Sequence, residues 1–318
     1  MSLRSILPSA LLALVAGSAA PALAAERPSF DCAKAKSPVE GAICASPQLA
    51  KLDRDMAAAY ARAAAATSAP VTLRATQRDF LARRGRDEEG KPEKTVNVPA
   101  LADLYKAQIE SLTAEAQQGE RARSSSIALG DLARQCAVVA LEKCKVDSSG
   151  TVAGSGPYGG LSYQIQVPAN DDEWTRGVVV LRNEGGRLKP VIWNFEGDLP
   201  GTPEVVRTPA GPLLIVPSRH GGTGSYNAEL VFRPVQGGWR DLERDAWQAA
   251  FNKQLPEGLG VWKGVQFDWT DLSLVTGLWK DDDANCCPTG GMAEAKLAVE
   301  GDRLALKSMS VDRTPPKE

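Results

Sequence analysis

The chain has 318 residues, of which 43% are hydrophobic, with 37 basic and 39 acidic side chains, six cysteines and one histidine. A formal charge of −2 excludes a chain-wide basic footprint for nucleic acid or an acidic membrane surface, and the lone His220 weakens any histidine-built metal centre. All seven tryptophans fall between Trp174 and Trp279, whereas the alanine-rich first third has none, so the length divides naturally into two domains.

Residues 1–24 read as a secretory signal peptide: Arg4 precedes an alanine- and leucine-rich run that ends in Ala22-Leu23-Ala24. The run is short for a membrane span and is interrupted by Pro8 and Pro21, so no membrane anchor is expected. Cys32 lies several polar residues beyond the cleavage point, which argues against a lipid anchor. An exported chain with six cysteines favours disulfides over free thiols, and a periplasmic or secreted location follows.

A helical domain is expected over residues 25–118. Ser37-Pro38-Val39-Glu40 spells a capping box with proline at the first helical position. Ser46-Pro47 repeats the start signal nine residues later, which predicts two helices joined by a tight corner. Leu49, Leu52, Met56, Tyr60 and Ala63 then mark one apolar face. A third helix is predicted over Leu73 to Arg84, a polar loop over Gly85 to Asn97, and a fourth helix opened by Pro99. So small a bundle buries little apolar surface and gains from a staple. Cys32 and Cys44 can close a loop of about a dozen residues, contributing roughly 3 kcal/mol; the alternative pairs each with a distant cysteine.

Phe30-Asp31-Cys32, Pro38-Val39-Glu40, Ile43-Cys44, Leu52-Asp53, Tyr60, Gln77-Arg78, Arg84 and Tyr105 stand in a spacing that resembles the N-terminal domain family of the lysozyme inhibitor LprI, over residues 29–112. Members of that family commonly have a tryptophan where this chain has Phe80, and cysteines near Asp87 and Ala100 that are absent here. The loss of both implies that they pair with each other in relatives, which leaves Cys32 with Cys44. The resemblance also implies inhibition of a lysozyme-type glycosidase through the helical domain.

The polar stretch around Gly119 to Ser126 is expected to be the linker, placed at residues 119–130, and a β-rich domain is expected over 131–312. Apolar runs interrupted by Glu184-Gly185-Gly186, Gln236-Gly237-Gly238 and Glu300-Gly301-Asp302 predict three hairpins. The fold class expected is therefore α+β, a stapled all-α bundle followed by a mostly antiparallel sandwich, open barrel or propeller-like stack. One helix is expected near Asp245 to Gln254, and the tryptophans read as core rather than as exposed platforms. Seven residues without a turn signal separate Cys136 from Cys144, so at least one long-range bridge to Cys286 or Cys287 is preferred. The alternative joins Cys136 to Cys144 and the adjacent Cys286 to Cys287.

Asp281, Asp283 and Asn285 alternate as in a calcium loop but lack its turn glycine and its distal glutamate, so no metal is expected. Ser218 to Asn227 matches neither a nucleophile elbow nor a P-loop and reads as a hairpin loop. No catalytic residues, enzyme activity or cofactor are expected. Arg78, Arg83, Arg84 and Arg86 form the candidate binding cluster, since guanidinium groups suit the paired carboxyl groups of a glycosidase cleft. The structural alternative has Arg84 paired to Asp53 inside the bundle and the other three solvated. The partners expected are a lysozyme or another envelope protein, with a glycan bound by the β region as the second reading.

Overall fold

The computed structural model describes residues 27–86, 90–91, 95–169, 175–196, 199–220 and 226–314. The signal segment lies outside them, as does Trp174.

The sequence starts its helices where the caps are written. Ser37 Oγ accepts the Glu40 amide while the Glu40 carboxylate accepts the amides of Lys36 and Ser37, which opens α1 (Pro38–Ala45). Those amide bonds hold the Glu40 carboxyl below its ordinary range. Ser46 caps α2 (Pro47–Ala66) through the Leu49 amide, and α3 (Pro70–Arg83) and α4 (Val98–Ser124) follow. Cys32 and Cys44 are bonded, with a Cα separation of 5.8 Å. The core between these helices gathers Ile43, Leu49, Met56, Leu101, Tyr105 and Leu112.

At the centre of the bundle is Asp53, 2% exposed. It accepts from the Ser29 amide at 2.7 Å, the Ser29 hydroxyl at 2.5 Å and the Tyr105 hydroxyl at 3.0 Å. Arg84 Nη1 lies 3.6 Å from the same carboxylate and donates to the Tyr105 hydroxyl. Burial pushes the Tyr105 phenol far above its usual range.

Helix α4 corrects the expected linker, because it continues to Ser124. Its polar end serves α2. A Cβ at Gly119 would stand 2.6 Å from the Ala66 carbonyl, so only glycine allows this approach. Four residues later, Arg123 donates to the carbonyls of Ala66 and Thr67 and satisfies the open end of α2.

The chain then builds β1 (Ile127–Ala128), β2 (Lys145–Thr151), β3 (Leu161–Val167), β4 (Gly177–Glu184) and β5 (Arg187–Asn194), an antiparallel sheet in the order β1-β5-β4-β3-β2. A second sheet follows in sequential order: β6 (Glu204–Thr208), β7 (Gly211–Val216), β8 (Leu230–Val235) and β9 (Gly238–Asp241). After a 3-10 turn at Arg244–Trp247 and α5 (Gln248–Gln254) come β10 (Leu259–Gly260), β11 (Gln266–Asp268), β12 (Ser273–Gly277), β13 (Trp279–Lys280), β14 (Met292–Glu300) and β15 (Arg303–Asp312). The third sheet runs β11-β12-β14-β15, while β10 and β13 form a separate short ribbon. All three glycine-bearing turns close hairpins as expected.

Three consecutive antiparallel meanders pack face to face, the second sheet between the first and the third. Side chains of β7 show why. Leu214 and Val216 pack with Val178, Val180 and Ile192 of the first sheet, while Leu213 and Ile215 pack with Leu274, Ala295 and Leu304 of the third. A strand covered on both faces reads as an unbroken apolar run. In β4, likewise, Val179 and Leu181 face Ala122, Ile127 and Val138 on the side away from the second sheet.

The preferred long-range disulfide is corrected. Cys136 bonds Cys144 at a Cα separation of 6.3 Å, and Cys286 bonds Cys287. The intervening segment is neither helix nor strand: Lys143 adopts φ 46°, a left-handed bend that its residue type does not announce. Gln164, fully buried on β3, organises this segment by accepting the Ala137 amide and donating to the carbonyls of Leu132 and Gln135.

Candidate functional site

The four arginines of the candidate cluster divide by environment. Arg84 points inward and is consumed by Tyr105 and Asp53, as the structural alternative has it. Arg78 reaches the β region, donating to Glu243 at 2.7 Å. Arg83 and Arg86 remain exposed at the C-terminal end of α3, where cations complement the helix dipole. Arg86 donates through Nε to the Ala82 carbonyl at 3.0 Å and through Nη1 to the Gly90 carbonyl at 2.7 Å, so its guanidinium is itself anchored on two backbone oxygens. The structure thus brings only Arg83 and Arg86 to one exposed end.

Helices and sheets meet through specific polar contacts. The carboxylate of Asp241, 2% exposed at the end of β9, accepts the amides of Val71 at 3.1 Å and Thr72 at 2.6 Å. It caps α3 from another part of the chain, in place of Ala69, whose methyl side chain has no acceptor to offer. Ser68 both donates to the Trp193 carbonyl and accepts its amide. These contacts fix α3, and therefore Arg83 and Arg86, relative to the stack.

Beside them lies a cleft of 540 Å³ between α3 and the second sheet, lined among others by Arg78, Glu229, Glu243, Arg244 and Arg303. Glu229 accepts the Asn227 amide at 2.8 Å and has its other oxygen 3.6 Å from Arg244, too far for a hydrogen bond. Burial raises its carboxyl above the ordinary glutamate value, against the pull of Asn227 and Arg244. This pair was not foreseen from sequence. Its signal was an acid inside the apolar run Ala228 to Phe232.

Other motifs have structural duties. Asp283 accepts the amides of Lys280 and Thr289 and the Thr289 hydroxyl, so it ties the 280–289 turn. Among the described residues no group of His, Cys, Asp and Glu side chains could hold a metal. Within Ser218 to Asn227, Arg219 and Asn227 form an antiparallel bridge, and residues 221–225 lie outside the described set. Trp193, Trp247 and Trp279 are core, whereas Trp262 is 36% exposed. No described helix is long and apolar enough to cross a membrane. No family model, curated protein or solved structure matches the chain.

Proposed function

We propose that this chain is an exported binding protein that inhibits a lysozyme-type glycosidase by presenting the Arg83 and Arg86 end of α3 to the paired carboxyl groups of its cleft. The observation that supports this reading most is the exposure of these two guanidinium groups on a frame fixed from both sides. The Cys32–Cys44 bridge and the Asp53 network hold the bundle, and Asp241 holds the start of α3. A helix already ordered before contact loses little further entropy on docking. Three disulfides fit an oxidising compartment, where such a target is met.

Binding of a lysozyme to the immobilised, oxidised protein tests the reading. The wild type should retain it, with affinity that weakens as salt rises, and Arg83→Ala/Arg86→Ala should lose about tenfold or more. Retention at equal strength by the double variant would remove the arginine end from the account.

A further inference from the structure

Next to the cleft, and sharing Arg244 with it, a second pocket of 320 Å³ opens between His220, Tyr226 and Asn227, α5 and the 261–267 segment. Its floor is aromatic. Trp247 meets Phe251 edge to face at 5.3 Å and Phe267 at 6.2 Å. Its wall carries Tyr226, which is 52% exposed although it is a large aromatic. The Tyr226 hydroxyl donates to the Trp262 carbonyl at 2.8 Å, which ties the ring to the 261–267 segment. Trp262 itself is exposed, its indole lying over Gly260, where a Cβ would come within 2.9 Å of the ring nitrogen.

Planar polar groups complete the lining. Arg244 and Asp245 are paired in parallel, Nε to Oδ1 at 2.8 Å and Nη2 to Oδ2 at 2.5 Å, and Gln248 donates its amide to Asp245 at 3.1 Å. The indole N–H of Trp247, in the same lining, is buried with no acceptor among the described residues. Asp245 and Gln248 are exposed, and the carboxylate keeps lone pairs beyond those that accept from Arg244, to which hydroxyl groups can donate.

We propose that this pocket binds a short saccharide, one ring stacked on Tyr226 and its hydroxyl groups bonded to Asp245, Arg244 and Gln248. A sugar ring has the required chemistry, an apolar C–H face for the aromatic ring and hydroxyl edges for the planar polar groups. The volume is at the small end of ligand sites and suits one or two rings rather than a long chain. A bare aromatic ligand would bring no hydroxyl group to the exposed Asp245 carboxylate and Gln248 amide. The proposal does not rest on the arginine end of α3, so the two fail separately.

The intact oxidised protein should be titrated with N-acetylglucosamine trimer, cellotriose and maltotriose, with adenosine as a non-sugar aromatic probe, by calorimetry and tryptophan fluorescence. Saturable binding of at least one saccharide is expected. Tyr226→Ala should weaken it by about tenfold, and Gln248→Ala should weaken it as well, with the thermal midpoint of each variant unchanged. Leu129→Ala, which alters an equally exposed apolar side chain in the turn after β1, should bind as the wild type does. Absence of saturation by every saccharide up to about 10 mM would overturn the assignment. So would binding that survives both pocket substitutions, or binding of adenosine alone.

Discussion

Asp53, Tyr105 and Arg84 come from three elements and share one buried proton network, so each is needed to satisfy the other two. Removing the carboxylate strands a guanidinium and a phenol in the interior. Asp53→Ala should therefore destabilise the oxidised protein by about 3 kcal/mol in urea unfolding. A loss under about 1 kcal/mol would mean that the pair behaves as an exposed one. Glu229 sets a different balance, because burial favours its protonated form in the fold. Its contribution is full below the unfolded value near 4.5 and is lost as pH rises through the raised folded value. Unfolding measured from pH 4 upward should show that decline in the wild type, and Glu229→Gln should flatten it. At this scale the sequence was partly legible. Arg84 with Asp53 could be named from charge and helical spacing, whereas Glu229 and Tyr226 become distinctive only when the 261–267 segment and Arg244 close around them.

Among elements, the helices were the most readable because their start signals are local. Ser37 with Glu40, and Ser46 with Pro47, act within four residues, and the bonds they make are those the sequence implies. Helix ends were less readable, since their partners are distant in sequence. Arg123 satisfies the end of α2, and Asp241 caps α3 from the second sheet, so the tail of α4 reads as a polar linker until α2 is beside it. The disulfides separate in the same way. Cys32–Cys44 spans twelve positions and holds two elements together, whereas Cys286–Cys287 closes no loop beyond its own turn. In the chain-entropy account, Cys32→Ser/Cys44→Ser should lower stability by about 3 kcal/mol. Cys286→Ser/Cys287→Ser should change it by less than about 0.5 kcal/mol. Equal losses from the two pairs, read as urea midpoints at constant slope, would contradict that division.

For the molecule as a whole, the hairpin turns and apolar runs identify an antiparallel β region, but not how its sheets are layered. Which face of Leu213 to Val216 meets which sheet follows from the stack, and an apolar run buried on both faces carries no alternation to read. The stack has a consequence for recognition. One end is covered by the bundle, joined through Asp241, Ser68 and Arg78, so the arginine end of α3 belongs to a body larger than its own helices. Under the function proposed above, the unit that meets the target is the helical module as braced by the sheets. Lysozyme turnover on a cell-wall substrate, measured against rising concentrations of the intact oxidised protein, tests this most directly. The account predicts saturable loss of turnover, relieved by Arg83→Ala/Arg86→Ala. Turnover undiminished at micromolar protein, or loss that the double substitution leaves intact, would contradict it.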